Sequence, residues 1–261
     1  MRQTIARLQS SKHKIKIRNT RAHMDMNDAH PSQRYLAETE YLNYSHPALQ
    51  TLIRRVTEDF GNDVDRAVAL HDFVRDQVEF GFTPAFYDVT ASDVLLSRQG
   101  FCNPKATLLT ALLRGARIPA RQRFFGLSSE VLAGVIDPGS RFVDHAIVEV
   151  WLDDRWVRTD SYNVDAELFD AGASYLDRTL GFGIRRDGST RWDGNGDSFS
   201  QYHPDYVVRD FGVYDDVGKF YRDAPKPYNR QNWLSRLCAK PTTSKANGRI
   251  RALKLSGQSV A

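Results

Sequence analysis

Between Gly100 and Arg121 the chain reads GFCNPKATLLTALLRGARIPAR, and this run constrains the fold more than any other. Leu108, Leu109, Leu112 and Leu113 cover most of one side of a helix, so that helix must be largely buried. Asn103 suits the N-cap, and Pro104 suits the first helical position, whose N–H would be unpaired in any case. Ile118-Pro119 ends the helix, and Ala120 to Leu127 reads as a strand leaving it. Cys102, one residue before the predicted cap, raises a chemical question. A lone cysteine is most often a small packed residue. At a helix N-terminus, however, unpaired N–H groups and the positive end of the macrodipole favour the thiolate, which is the nucleophilic form.

Three helices are expected upstream. Ser45 or His46 before Pro47 opens the first, which carries Leu49, Leu52, Ile53, Val56 and Phe60 and stops at Gly61. Asn62 or Asp63 caps the second, whose face holds Val64, Ala67, Val68, His71, Val74 and Val78; His71 reads as a hydrogen-bonded core histidine. Ser92 opens a short third helix, Asp93 to Arg98, closed by Gly100. Downstream, Ala146, Val148, Val150 and Leu152 alternate with Ile147, Glu149 and Trp151 as a strand. Asp153-Asp154-Arg155 turns the chain, and Trp156 to Asp160 returns beside it. Helices first, then an antiparallel sheet with one buried helix packed on it, make an α+β fold.

Residues 170–215 are rich in Gly, Asp and aromatics without a clear period, which marks a structured and often functional loop region. Residues 229–238 suit a short helix. The formal net charge of +4 divides unevenly: residues 1–23 hold seven Lys/Arg and residues 239–261 five, with no Asp or Glu in either. Removing them leaves residues 24–238 with 24 basic against 32 acidic side chains. Two basic tails, 1–23 and 239–261, are thus expected to flank one acidic domain, 24–238. They read as solvated, with contact to nucleic acid or an anionic membrane as the lesser alternative. There is no apolar run of membrane-spanning length and no secretory signal at the N-terminus. Cys102 and Cys238 do not make a disulfide framework, so a reduced, cytoplasmic setting is expected, with Cys238 a free thiol.

If Cys102 is a nucleophile it needs a general base, and the base an orienting carboxylate. His145 heads one strand and Asp160 ends its partner. A two- or three-residue turn sets Asp160 opposite residue 148 or 149, about 10 Å along the strand from His145, so contact requires twist, a bulge or a bent strand end. Asp144 is the alternative carboxylate. No metal-ligand spacing and no phosphate loop are present, so no cofactor is expected.

The run G-x-C-x-x-x-A-x-L-L-x-A-L-L-R-x-x-x-I-P-A-R (Gly100 to Arg121), followed by H-A-x-V-E-V-x-L-x-x-x-W-V-x-x-D (His145 to Asp160), resembles the transglutaminase-like superfamily over a core of roughly residues 35–165. The resemblance implies a papain-like core with a Cys-His-Asp triad, making Cys102 the nucleophile, His145 the base and Asp160 its partner. Arg117 stands where such sequences usually have Gly before Ile-Pro, and Ser161-Tyr162 replaces Pro-Thr after the aspartate. Tyr87 is a candidate second oxyanion donor, and Trp192 a candidate groove residue. Trp151 and Trp156 read as packing residues and His203 as a loop histidine.

The implied function is acyl transfer through a thioester on Cys102, with hydrolysis of a peptide-like amide favoured. Transfer to an amine or carbon nucleophile, as in a transglutaminase or cyclase, is the alternative, and a non-catalytic binding module the third reading.

Overall fold

The computed structural model describes residues 33–132, 140–175, 184–185, 187–225 and 233–258. Helix α1 (Pro47–Thr57) starts where the His46 ring accepts from the Ala48 N–H, and Asn62 caps α2 (Asp63–Gln77) through the Asp65 N–H. Strand β1 (Glu79–Phe80) pairs in parallel with β2 (Gln99–Gly100). Between them α3 (Ala91–Ser97) begins two residues earlier than the sequence suggests. Thr90 and Asp93 form a reciprocal capping box there, and Arg98, in the left-handed region at φ 54°, closes the helix in place of Gly100.

Helix α4 (Cys102–Gly115) is buried from Cys102 through Arg114. It lies on a four-stranded antiparallel sheet of order β5-β4-β3-β6, formed by β3 (Ala120–Ser128), β4 (Phe142–Leu152), β5 (Arg155–Thr159) and β6 (Val207–Tyr214). Leu108, Leu109, Leu112 and Leu113 are fully covered and share one core with Phe124, Ala146, Val148 and Val150 of the sheet. Each such leucine contributes about 1.5–3 kcal/mol, which fixes the position of the helix and of the cysteine at its head. At the other end the buried Arg114 guanidinium donates to the carbonyls of Ala120, Ala37 and Asp215, tying α4 to the sheet. Arg117 follows in the left-handed region at φ 67°, which explains why glycine suits that position.

The β4–β5 hairpin turns on Asp153 and Asp154 alone, both at positive φ (47° and 59°). The ladder pairs Leu152 with Arg155 and Val148 with Thr159. Continued by one step, it sets Asp160 opposite Ile147, two residues from His145 and on the same side of the strand pair. The expected offset therefore shrinks to about 7 Å, a diagonal that two side chains can span.

Residues 239–258, expected as a solvated tail, lie instead in α7 (Trp233–Gln258), packed against α5 (Ala166–Tyr175). Ala246 and Ile250 are buried with Phe80, Phe82, Val164 and Leu168. Asn247 bonds both the N–H and the carbonyl of Phe82, at 2.8 Å each. The contact face mixes Thr243, Ala246 and Asn247 with Ile250 inside a basic stretch, so its hydropathy resembles that of a tail. Residues 1–23 and the Cys238 side chain fall outside the described residues.

Candidate active site

Helix α4 begins one residue earlier than expected. Phe101 is its N-cap, without a side-chain cap bond, and Cys102 is the first helical residue. Asn103, expected as the cap, is freed for other contacts. The first turn of a helix leaves its N–H groups unpaired. Here Pro104 has none to offer, so the backbone N–H groups of Cys102 and Asn103 face the helix mouth beside the sulfur.

The structure brings Cys102, His145 and Asp160 together. They are 8%, 5% and 0% exposed. His145 Nε2 lies 2.8 Å from Asp160 Oδ2, and the ring lies close enough to Cys102 to feel its charge. Burial works to lower the His145 pKa, but the charge on Cys102 and the hydrogen bond to Asp160 override it. The ring is pushed up to about 10. A ring raised in this way is placed to take up a proton from a neighbouring thiol.

Asp160 has left the ladder: its N–H donates to the Ser198 carbonyl. Its carboxylate is caught by the loop region. Oδ1 accepts from the N–H groups of Ser200 (2.6 Å) and Gln201 (3.3 Å), and Oδ2 from that of Tyr202 (2.6 Å). Three backbone donors and a histidine compensate a charge withdrawn from water. The Gly/Asp/aromatic-rich stretch thus pins the orienting carboxylate, a role no single residue in it announces.

Asp144 does not reach the histidine as a carboxylate partner. Its side chain faces α4, where Oδ2 accepts from Asn103 Nδ2 and the Tyr221 hydroxyl, and its carbonyl oxygen lies 4.0 Å from Cys102 Sγ. Tyr221 belongs to α6 (Val217–Asp223) and stacks on Tyr87 with ring centroids 3.3 Å apart. The Tyr87 ring therefore meets the site as a wall behind Tyr221. Sequence reading missed Tyr221 because α6 reaches the site only through the tertiary fold; Asn103, beside the cysteine, was legible as a residue but not in this role.

Trp192 is a core residue: 5% exposed, it donates to the Gly196 carbonyl at 2.9 Å and packs on His71. His71 is fully buried between Asp72 (2.9 Å) and Ser161 (2.8 Å). His203 accepts from the Asp205 N–H as the cap of a short turn. Trp151 and Trp156 pack edge to face, with the Arg121 guanidinium 3.9 Å over Trp156. Among the described residues, no group of three or more His, Cys, Asp or Glu could hold a metal ion.

Residues 50–161, the segment carrying all three site residues, match the family model of the transglutaminase-like superfamily. No curated protein matches the chain. A candidate cysteine protease from Cytophaga hutchinsonii is 19% identical with a TM-score of 0.46, over 72% of this chain and 48% of that one. A candidate protease from Parabacteroides distasonis is 17% identical with a TM-score of 0.33, over 49% and 25%. The periplasmic domain of TgpA from Pseudomonas aeruginosa, bound to ethylmercury, is 24% identical with a TM-score of 0.38, over 51% and 50%. The chain spans half or less of the length of each. Among the described residues no helix is long and apolar enough to cross a membrane.

Proposed function

We propose that the protein is a cysteine-dependent hydrolase of a peptide-like amide, working through an acyl-thioester on Cys102. The observation that carries this reading is the burial of Cys102, His145 and Asp160 together, with His145 Nε2 2.8 Å from Asp160 Oδ2 and the ring pushed up to about 10 by its neighbours. The Cys102 thiolate attacks the carbonyl carbon, and the displaced electron pair collects on oxygen at the mouth of α4, where the Cys102 and Asn103 N–H groups and the helix dipole stabilise it. The His145 imidazolium then gives its proton to the leaving nitrogen as the C–N bond breaks. Water attacks the thioester, His145 takes a proton from it, and the thiolate leaves. Asp160 keeps the ring oriented throughout. A reduced cytoplasm is the setting proposed for it, since the nucleophile must stay unoxidised.

The test is intact-mass spectrometry after exposure to acyl probes that acylate thiols, with and without a large excess of amine. An acyl adduct on Cys102 that turns over to the free acid, and that is lost in Cys102→Ala, supports hydrolysis. An amide product formed in preference to the acid moves the assignment to acyl transfer. No adduct on Cys102 with any probe removes the enzymatic reading.

A further inference from the structure

The sulfur has a second polar neighbourhood besides His145. Cys102 Sγ lies 3.3 Å from Asn103 Oδ1, in the sense of a thiol donating to an amide oxygen. The other end of that amide is fully engaged: Nδ2 donates to Tyr221 Oη at 2.5 Å and to Asp144 Oδ2, which also accepts from the Tyr221 hydroxyl. Asn103 is 1% and Tyr221 8% exposed. This closed triangle of Asn103, Asp144 and Tyr221 fixes which end of the amide meets the sulfur.

That orientation suits a thiol and opposes a thiolate. An amide oxygen 3.3 Å from an anionic sulfur is repulsive, whereas the NH2 group in the same place would donate a charge-assisted bond. The two ends of an amide have nearly the same shape, so a half-turn exchanges them without a change in packing. What holds the unfavourable end toward the sulfur is the carboxylate of Asp144, which requires donors and tolerates no facing oxygen.

We propose that Asn103 is a positioning residue for the Cys102 sulfur and that Asp144 sets its orientation: an ionised Asp144 holds Oδ1 toward the sulfur and restrains thiolate formation, and a neutral Asp144 lets the amide turn so that Nδ2 donates to the thiolate. The inference rests on the acyl-transfer reading above. Burial pushes the Asp144 carboxyl up, against the lowering effect of its bonds to Tyr221 and Asn103, and the solvent contact the residue retains moderates that rise. The charged and titratable groups facing this corner are His145 from β4, Asp160 beyond β5, Tyr162 after it, and Tyr221 from α6 with Tyr87 stacked behind it. Asn103 and Asp144 lie inside the segment that matches the family model, and Tyr221 lies outside it.

The test is the pH profile of iodoacetamide alkylation of Cys102 in the full chain, located by peptide mapping. Asp144→Asn should move the acid limb of the profile about one pH unit lower, a tenfold gain in thiolate at a given pH. Tyr221→Phe leaves the carboxylate in place but removes one acceptor of Nδ2, and should give a smaller shift in the same sense. It carries the test if Asp144→Asn does not fold. In an Asn103→Ala background the Asp144→Asn shift should disappear. A shift that persists without Asn103 is a plain charge effect and overturns the proposal, as does an unchanged limb in both single variants. Failure of the underlying reading looks different: wild-type Cys102 itself would alkylate with one rise near pH 8.5, as an ordinary thiol does.

Discussion

Asp160→Asn is the substitution whose consequences the structure fixes most closely. The carboxylate is fully buried and both of its oxygens accept: Oδ1 from the Ser200 and Gln201 N–H groups, Oδ2 from Tyr202 N–H and His145 Nε2. An asparagine has the same shape but one accepting end. Whichever way it turns, its NH2 group confronts at least one backbone N–H. A buried charged pair broken on one side costs about 3–5 kcal/mol, against a total stability of roughly 5–15 kcal/mol. At about 2–4 °C per kcal/mol for a chain of this size, the melting temperature should fall by roughly 6–20 °C. His145 loses both its orientation and the hydrogen bond that helps hold it protonated, so acylation should drop by about 10²–10⁴-fold. Urea titration and differential scanning calorimetry measure the first effect; acylation rates below the melting transition measure the second. A variant within about 1 kcal/mol of the parent, acylated at the parental rate, would refute the buried-carboxylate argument on both counts.

Lys105 is fully buried with its ammonium donating to the Val78 carbonyl at 2.7 Å, and burial pushes its pKa down to about 7. Between pH 7 and the unfolded value near 10.5 the unfolded chain binds more protons, so this group makes stability rise with pH across that window. Lys105→Met should raise stability at pH 7 by about 2–4 kcal/mol and flatten the rise, as read by urea titration at several pH values; equal pH slopes in both proteins would contradict this. Burial lowers the His71 pKa, so the folded state resists a proton that the unfolded chain accepts. Stability should therefore fall as pH drops below about 6.5, and His71→Gln should lessen the acid slope; an unchanged slope tells against it. Arg117→Gly should stabilise by about 1 kcal/mol by relieving a left-handed backbone at φ 67°, unless thermal melting shows a loss. Ile250→Asp should unseat α7 from Phe80 and Phe82 and lower the melting temperature, whereas a free tail would tolerate the charge.

What the sequence conveyed best is what depends on local pattern. The Leu108 to Leu113 periodicity predicts a buried helix, and the alternation from Ala146 to Leu152 predicts the strand beside it, because burial follows the helical and strand periods directly. Cap positions were less legible: the helix starts at Cys102, so Asn103 lies inside its first turn, with Oδ1 toward the sulfur and Nδ2 on Asp144 and Tyr221. The His145–Asp160 distance was overestimated because the register was set one step too far along: with Leu152 paired to Arg155, Asp160 falls opposite Ile147 rather than residue 148 or 149. The hold on Asp160 by Ser200, Gln201 and Tyr202 uses backbone N–H groups, which carry no residue-type signal. A short helix was expected at 229–238, but its continuation as α7 to Gln258 was missed because Ala246, Asn247 and Ile250 make a small, mixed contact face inside a basic stretch.

The central claim is a thiolate–imidazolium pair on the N-terminus of a buried helix, and the titration of His145 by NMR tests it most directly. The account predicts a ring that stays protonated up to about pH 10 in the wild type and releases its proton at distinctly lower pH in Cys102→Ala. An imidazole that titrates near 6.5 in both proteins would show that the sulfur and the ring share no charge, and would contradict the account.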